Sequence, residues 1–486
     1  MPTKACHVPE LLRVVHGNLS STDKLHNLGR NLDCFVAEER APRNDSTNKK
    51  SNRNQKSTKS GYMTKTIIIG AGFAGLSAGH RLRKDYVILE KNSRPGGLCR
   101  SDVVGGFTFD YTGHFLHIRR PEIQRFITSN ISAPLKKINR KAFIYSNGVY
   151  TGYPYQVNNY GLPPEIVSEN ITGFLQAKFR GPASQANFRD WILTALGTGI
   201  AKNFMFPYNS KLFKFPLDKM TVKWMGRFVP SPGIDDVMKG ILPKGEADLG
   251  YNAHFYYPAQ GGIESVIKGL YKKVADKVKL NTEVVKIDLI NKTVYLSDKT
   301  KLQYCHLIST LPLKDLAKLT GDAELKTLGN KLKAVSVYSL NIGFKSKKEI
   351  NKHWVYVPEA QYPFYRIGFP SEVMPSTAPA GLSSVFTEVS YTNHPPKNID
   401  AAIIKGLIDM KIIGSKKDIV LKHPMVLKDA YVIYDKEREE VVPRMRKILA
   451  SFGIYTAGRW GSWEYGSMED AIIEGFGAAE RVRNNC

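Results

Sequence analysis

The sequence predicts an α/β protein in which one domain is assembled from both ends of the chain, with helical and antiparallel-sheet regions inserted between. Three observations predict it. Residues 65–100, KTIIIGAGFAGLSAGHRLRKDYVILEKNSRPGGLCR, read as a strand, a glycine turn, a helix and a second strand. Residues 278–311 return to the alternation of strands with one buried face, in Val278-Lys279-Leu280, Glu283-Val284-Val285-Lys286-Ile287, Thr293-Val294-Tyr295-Leu296 and His306-Leu307-Ile308-Ser309-Thr310-Leu311. Near the C-terminus, Tyr455-Thr456-Ala457-Gly458-Arg459-Trp460-Gly461 leads into a helical pattern over 467–482.

In the first of these stretches, Lys65–Ile69 is apolar and β-branched, Leu76–Arg83 has helical spacing, and Tyr86–Leu89 is a second apolar run ending at Glu90. Gly70 permits a tight turn, Gly72 lets the backbone approach a pyrophosphate, and Gly75 lets the helix pack closely on the strand. The helix N-terminus then faces the phosphates, with Phe73 and Ala74 in the turn between the glycines. Glu90 stands 20 residues after Gly70, where a carboxylate at the end of the second strand accepts hydrogen bonds from a ribose, with Lys91 beside it. A lone GxGxxG is weak; one flanked by strand, helix, strand and acid specifies a Rossmann-like dinucleotide-binding unit.

The chain has 486 residues, enough for two or three domains. It contains no run of about 18 uncharged apolar residues, so no spanning helix is expected. The longest approach, Trp191–Ala201, suits a core helix. Residues 1–62 differ from the rest: Arg40–Ser60 is polar, basic and almost free of apolar side chains, and cannot bury enough surface to offset the entropy of ordering. They are expected to be a disordered, dispensable extension, with Met63 placed as an initiator directly before the first strand. A transit peptide is the alternative, against which Glu10, Asp23, Asp33, Glu38 and Glu39 count.

Net charge is +26, and the extension holds only 11 Lys and Arg against 6 Asp and Glu, so the excess is spread through the folded part. Such a surface suits nucleic acid, an anionic membrane or a phosphorylated substrate, and equally a solvated Lys-rich face. No nucleic-acid-binding motif is present, and no such role is assigned. Five cysteines, widely spaced and with no CxxC pair, suggest a reducing, cytoplasmic setting without a disulfide frame or metal site. Cys99 reads as a small packing residue.

After Glu90, Arg94-Pro95-Gly96-Gly97-Leu98-Cys99-Arg100 places a second glycine pair behind the ribose-binding acid. This resembles the extended ADP-binding motif of FAD-dependent enzymes of the amine oxidase and UDP-galactopyranose mutase superfamily. The Thr456–Gly461 segment and following helix resemble the part with which that superfamily closes over the flavin. Val284 and Val285 stand where its members meet adenine through the backbone. In Phe107-Thr108-Phe109-Asp110-Tyr111-Thr112-Gly113-His114, the Gly-His resembles one lying against the isoalloxazine ring in the mutases. The resemblance implies that FAD is held by Gly70, Gly72, Phe73, Ala74, Gly75, Glu90, Lys91, Gly97, Leu98, Arg100, Gly113, His114, Val285, Gly458, Arg459 and Glu469. His114 could donate to a substrate, tune the flavin or orient its loop.

Further segments narrow the resemblance to the eukaryotic-type branch of the UDP-galactopyranose mutases. They are Tyr153-Pro154-Tyr155-Gln156-Val157-Asn158, Phe206–Phe213, Lys219–Trp224, Asn252–Pro258, Trp354-Val355-Tyr356, Pro358-Glu359 and Pro363-Phe364-Tyr365-Arg366. Tyr431 and Tyr465 stand 34 residues apart, as do two family tyrosines that meet the pyrophosphate. The resemblance implies a nucleotide-sugar cleft formed by Tyr153, Gln156, Trp224, Lys239, Asn252, Trp354, Tyr356, Arg366, Tyr431 and Tyr465, with Arg366 gripping the diphosphate through a planar, permanently charged fork. Lys239, in the segment Gly233–Leu242 that resembles the family's mobile loop, stands where relatives have arginine. Core packing is the alternative for any one of the aromatics. After Tyr465 the chain has Gly466-Ser467-Met468-Glu469-Asp470 where relatives have Gly-Asn-Gln-Asp.

The implied architecture is an FAD-binding domain in parts, 63–150, 246–330 and 431–486, with a helical insertion at 151–245 and a substrate-binding sheet at 331–430. The implied activity is redox-neutral interconversion of UDP-galactopyranose and UDP-galactofuranose through an adduct of reduced flavin N5 with the sugar, for cell-surface glycan synthesis. His114 and Arg366 are the implied catalytic side chains, and NADPH or NADH the candidate reductant. The alternative is an FAD-dependent oxidoreductase of the amine oxidase or protoporphyrinogen oxidase type. Homo-oligomerisation is left open.

Overall fold

In the computed structural model of the chain, the described residues are 64–131, 133–181, 185–226, 229, 231–243, 253–346 and 349–485. The expected extension at 1–62, Met63 and Asn252 lie outside them. The strand Thr64–Ile69 runs parallel to Tyr86–Leu89 on one side and to Lys301–Ser309 on the other. Val278–Lys279 pairs parallel beyond Tyr86–Leu89, and Ile454–Thr456 pairs parallel beyond Lys301–Ser309. The sheet therefore joins both ends of the folded chain. Ile67, Ile68, Leu307 and Ile308 are fully buried, as expected of a parallel sheet covered on both faces.

The first half of Lys301–Ser309 also pairs antiparallel with Thr293–Leu296, which in turn pairs with Val284–Asp288. The register of that outer pair shifts between Val284 and Lys286, so Val285 is an extra residue in the ladder. The helices Phe73–Leu82 and Met468–Asn484 belong to one core with Ile68, Ile88 and Ile308, through Leu76, Ala78, Ile472 and Ala479. The helix after the glycine turn begins at Phe73, earlier than apolar spacing alone indicates.

A second, seven-stranded sheet runs in the order Ile419–Val432, Ala334–Lys345, Leu382–Tyr391, Arg366–Gly368, Trp354–Tyr356, Ala142–Ser146 and Val149–Gly152. One face packs on the helix Ile399–Asp409, joining Leu340, Ile342, Val355 and Ile367 to Ile403 and Leu407. Its other face carries Trp354, Tyr356, Arg366 and Glu388, which line a cleft. Ala142–Ser146 and Val149–Gly152 extend this sheet, although sequence reading leaves them with the first cofactor segment. Their partner is Trp354–Tyr356, some two hundred positions along the chain, which local pattern does not reveal.

Between the two sheets' segments the chain forms the helices Pro164–Arg180, Phe188–Ile200 and Phe206–Phe213. The apolar stretch at 191–201 is broken at Gly197, whose φ of +78° is open to glycine. A Cβ there would stand 2.0 Å from the Gly173 carbonyl oxygen, so the bend also lets two helices touch through their backbones. The segment Gly233–Leu242, expected as a loop, holds a short helix at Ile234–Lys239. Asp236 accepts the Gly233 N–H at 3.0 Å, and Val237 is 1% exposed, so the segment has both a cap and an anchor. Among the described residues no helix is long and apolar enough to cross a membrane.

Candidate active site

The glycine turn is shaped by contact. Gly70 has φ +99°, and a Cβ on Gly75 would stand 1.9 Å from the Gly70 carbonyl oxygen, so neither position takes a larger residue without a shift. The helix that follows starts without a side-chain cap and with no acid in its first turn. Its orphan N–H groups and positive dipole end are therefore available to an anion. The second glycine loop lies over this turn, with the Gly96 N–H donating to the Ala71 carbonyl at 2.9 Å.

Glu90, 5% exposed, accepts the Ala71 N–H through Oε2 at 2.9 Å and the Asn92 N–H and Nδ2 through Oε1 at 2.9 and 2.6 Å. Its carboxylate is thus fixed beside the turn with lone pairs to spare. Phe73 and Ala74 are buried and Lys91 is exposed. Arg100 donates from Nε to the Gly97 carbonyl at 3.0 Å and lies 5.0 Å from the Tyr111 ring centroid. An uncapped helix start, bare glycines on both sides and a fixed acid fit the pyrophosphate and ribose of a dinucleotide.

Behind the loop is a polar network that runs from half-buried Arg94, Asp102 and His423 to buried Ser101, Asp110 and Glu264. Arg94 donates to the Ser101 carbonyl and to Glu264 at 3.0 and 2.9 Å and pairs with Asp102, which reaches His423 at 3.0 Å. Asp110 accepts from the Ser101 and Tyr257 hydroxyls, both at 2.6 Å, and from the Ile263 N–H at 3.1 Å. Burial raises its carboxyl pKa to about 6, although these donors favour the ionised form.

The cleft is a cavity of about 310 Å³ lined by the second sheet, the helical region and the segment that carries Gly113 and His114. It brings together twelve expected residues: Leu98, Gly113, His114, Tyr153, Gln156, Trp224, Trp354, Tyr356, Arg366, Tyr431, Arg459 and Tyr465. Trp354 and Tyr356, two apart on one strand, face the same side. Tyr153 packs against Tyr356, with ring centroids 5.1 Å apart. Tyr431 and Tyr465 stack at 5.9 Å, and the Trp224 indole stacks on Tyr434 at 5.3 Å while donating to the Thr221 carbonyl at 2.7 Å.

Lys239, Glu469 and Val285, all expected to meet ligand, are not among the cleft-lining residues. Lys239 is exposed at the end of its short helix. Glu469 is fully buried; it accepts the N–H groups of Arg119 and Arg120 at 2.9 and 2.8 Å and Arg119 Nε at 2.7 Å. Its carboxylate is committed to the protein, and its neighbours Gly466, Ser467 and Met468 line the cleft instead. Val285 lies on the outer hairpin and is 46% exposed; as the bulged residue, it offers backbone rather than a side chain.

Sequence reasoning missed several lining residues. Glu388 takes Arg366 in a bidentate pair, Nε to Oε2 at 2.8 Å and Nη2 to Oε1 at 2.6 Å. Its signal is a lone acid within Leu382–Tyr391, whose last eight residues are all buried. Tyr208 and Tyr365 lie within the motif segments Phe206–Phe213 and Pro363–Arg366 without being singled out, and Arg140, with its guanidinium 5.0 Å from the Tyr153 ring centroid, has no local signal.

The electrostatics follow from burial. Desolvation raises the Tyr356 phenol, takes Tyr431 up to about 12 and puts Tyr208 well above the ordinary range. At neutral pH these phenols are protonated donors. Burial opposes the charge of Arg366, but Glu388 beside it holds the guanidinium pKa well above its ordinary value. Burial, then the Arg459 charge, lowers the His114 imidazole to about 4, so it is neutral at pH 7. The site is a cleft of neutral phenols around a paired guanidinium, able to hold a polyanion with aromatic ends.

A sequence profile of flavin containing amine oxidoreductases matches residues 73–483. Among solved structures, the chain is similar to a reduced UDP-galactopyranose mutase, with 27% identity and a TM-score of 0.81 over 87% of this chain and 94% of that one. It also resembles cyclohexylamine oxidase from Brevibacterium oxydans IH-35A, at 16% identity and a TM-score of 0.61 over 87% and 99% of the two chains; this likeness shows the fold alone. A curated relative, 1-hydroxycarotenoid 3,4-desaturase from Flavobacterium sp. (strain P99-3), is 25% identical over 267 residues, 48% of this chain. The match spans about half, 53%, of that relative's length.

Proposed function

Because the chain belongs to the flavin containing amine oxidoreductase family, and is a flavin-dependent enzyme of that fold, we propose that it is a mutase of UDP-sugars, interconverting pyranose and furanose forms of UDP-galactose without net redox change. The observation that carries this reading is the cleft itself. Arg366 is surrounded by Tyr153, Tyr356, Tyr431 and Tyr465, a donor-rich wall suited to a diphosphate and poorly suited to an apolar amine or polyene. The likeness to a UDP-galactopyranose mutase structure supports it.

FAD, when bound and reduced, supplies the nucleophile that displaces UDP from the anomeric carbon. The chain's own residues bind and orient. The Phe73–Leu82 helix start takes the dinucleotide pyrophosphate, and Glu90 takes the ribose. Trp224, stacked on Tyr434, offers a flat face to the base. Arg366 and the protonated phenols of Tyr356 and Tyr431 hold the UDP diphosphate while its bond to the sugar breaks, which keeps the leaving group within reach for return. The neutral His114 imidazole lines the sugar end with Gly113 and orients the turn that carries it.

The curated relative favours a second reading, oxidation of an apolar substrate, for which Phe204, Met205, Leu212 and Phe213 give the cleft an apolar wall. One experiment separates the two. Chemically reduced holoprotein is incubated with UDP-galactofuranose and the appearance of UDP-galactopyranose is followed by chromatography, with oxidised protein as control. Conversion by the reduced form alone, with no reductant consumed per turnover, is expected. Failure to bind or isomerise any UDP-sugar, with normal flavin reduction, would put the oxidase reading first.

A further inference from the structure

We propose that Glu388 is a positioning residue that fixes the Arg366 guanidinium and cancels its charge at rest, so that the cleft selects a nucleoside diphosphate over small anions. This inference rests on the reading of the cleft as a nucleotide-sugar site. Arg366 and Glu388 stand directly opposite each other on the paired strands Arg366–Gly368 and Leu382–Tyr391, so the sheet register itself sets their meeting. Glu388 occupies Nε and Nη2 of the fork and is 1% exposed, whereas the Arg366 side chain is 19% exposed. The carboxylate makes no hydrogen bond with Nη1.

A carboxylate in an anion site works against binding unless it serves another end. Without it, a buried guanidinium would carry uncompensated charge and take up any small anion of suitable size. With it, the pair is neutral, and a single phosphate gains little. A diphosphate that also reaches the phenols of Tyr356 and Tyr431 gains several charge-assisted hydrogen bonds at once. Bidentate pairing holds the guanidinium plane fixed, so no reorientation is needed when the leaving group develops charge.

The test is Glu388→Gln in the flavin-loaded protein, with inorganic phosphate and UDP titrated by calorimetry and kcat and KM measured on UDP-galactofuranose. The expected result is opposed: phosphate binds about tenfold more tightly, while kcat falls at least about tenfold. A purely structural ion pair would instead lower flavin content, kcat and anion affinity together, and that result, or no change in any of them, overturns the proposal. Should Glu388→Gln fail to fold, Glu388→Asp keeps the charge and breaks the two-pronged contact. It should lose kcat with phosphate affinity unchanged, and full kcat in that variant also overturns the proposal. The phosphate titration needs no turnover, so a wild-type protein that isomerises no UDP-sugar counts against the mutase reading and leaves the anion measurement to stand by itself.

Discussion

The Arg459 guanidinium lies 4.6 Å from the centroid of the Tyr465 ring, and 5.3 Å from that of Tyr431 with which Tyr465 stacks. Its Nη2 donates to the Ala430 carbonyl at 2.5 Å, and the indole of the next residue, Trp460, donates to the Asp429 carbonyl at 3.0 Å. Two consecutive side chains of the segment after Ile454–Thr456 thus hold the end of the strand Ile419–Val432 of the second sheet. The two halves of the site are joined by donors that meet backbone carbonyls, and by a planar cation that covers both cleft phenols.

Replacing Arg459 by Lys removes the flat stacking surface and the fork while keeping the charge. A loss of about 1 kcal/mol is expected, on the scale of a partly buried cation–π contact, seen as UDP affinity about fivefold weaker. Titration calorimetry checks it. Unchanged affinity would mean that the stack does not order Tyr431 and Tyr465.

Glu90→Ala removes the acceptors for the Ala71 N–H and for Asn92, and with them the proposed ribose contact. Flavin content should fall about tenfold on dialysis, consistent with losing one or two hydrogen bonds to a charged group. The ratio of visible to ultraviolet absorbance measures it. Full retention of flavin would place the ribose elsewhere.

Arg366→Ala takes away the cleft guanidinium and leaves Glu388 buried without its partner. Two effects are expected: UDP affinity at least about 100-fold weaker, and stability lower by about 3 kcal/mol, the usual cost of breaking a buried pair on one side. Doubling the change to Arg366→Ala with Glu388→Ala should restore much of the stability and none of the affinity. Wild-type UDP binding in the single variant would remove Arg366 from the site.

Acid sensitivity follows from three buried imidazoles. Burial lowers His114, His117 and His353 to about 4 in the folded protein, against an unfolded value near 6.5. Between those values the unfolded chain binds more protons, so stability falls as pH drops from about 6.5 to about 4 and the effect levels off below. Asp110, raised to about 6 by burial, acts in the opposite sense between 3.8 and about 6, as does Glu474, which burial also raises, while His80, lowered by burial, adds to the imidazoles. Urea midpoints should fall from pH 7 to pH 5, and the slope should be shallower in His117→Phe. A midpoint that rises on acidification would contradict the assignment.

Much of the site is legible in the sequence where its cause is local. Gly70, Gly72, Gly75 and Glu90 lie within one βαβ unit, and the contact that demands a bare Cα at Gly75, with the Gly70 carbonyl, spans five residues. Alternation at Trp354 and Tyr356 likewise sets which side each faces before any partner is known. Less is legible where a residue's role depends on what arrives from far along the chain. Glu469 looks like a cofactor contact by its place after Tyr465, yet the segment at 119–120 brings three donors to it and takes the carboxylate away.

The sequence by itself determined the dinucleotide turn, the strands of residues 278–311 and the common facing of Trp354 and Tyr356, because short-range sterics and periodicity are written into neighbouring residues. Only the tertiary structure decided that 142–152 joins the second sheet, that Ile234–Lys239 is a helix carrying Lys239 outside the cleft, and that Glu388 faces Arg366. Those outcomes depend on strand register and on the burial of charge. Both are fixed by contacts between distant segments, whose energies no local pattern contains.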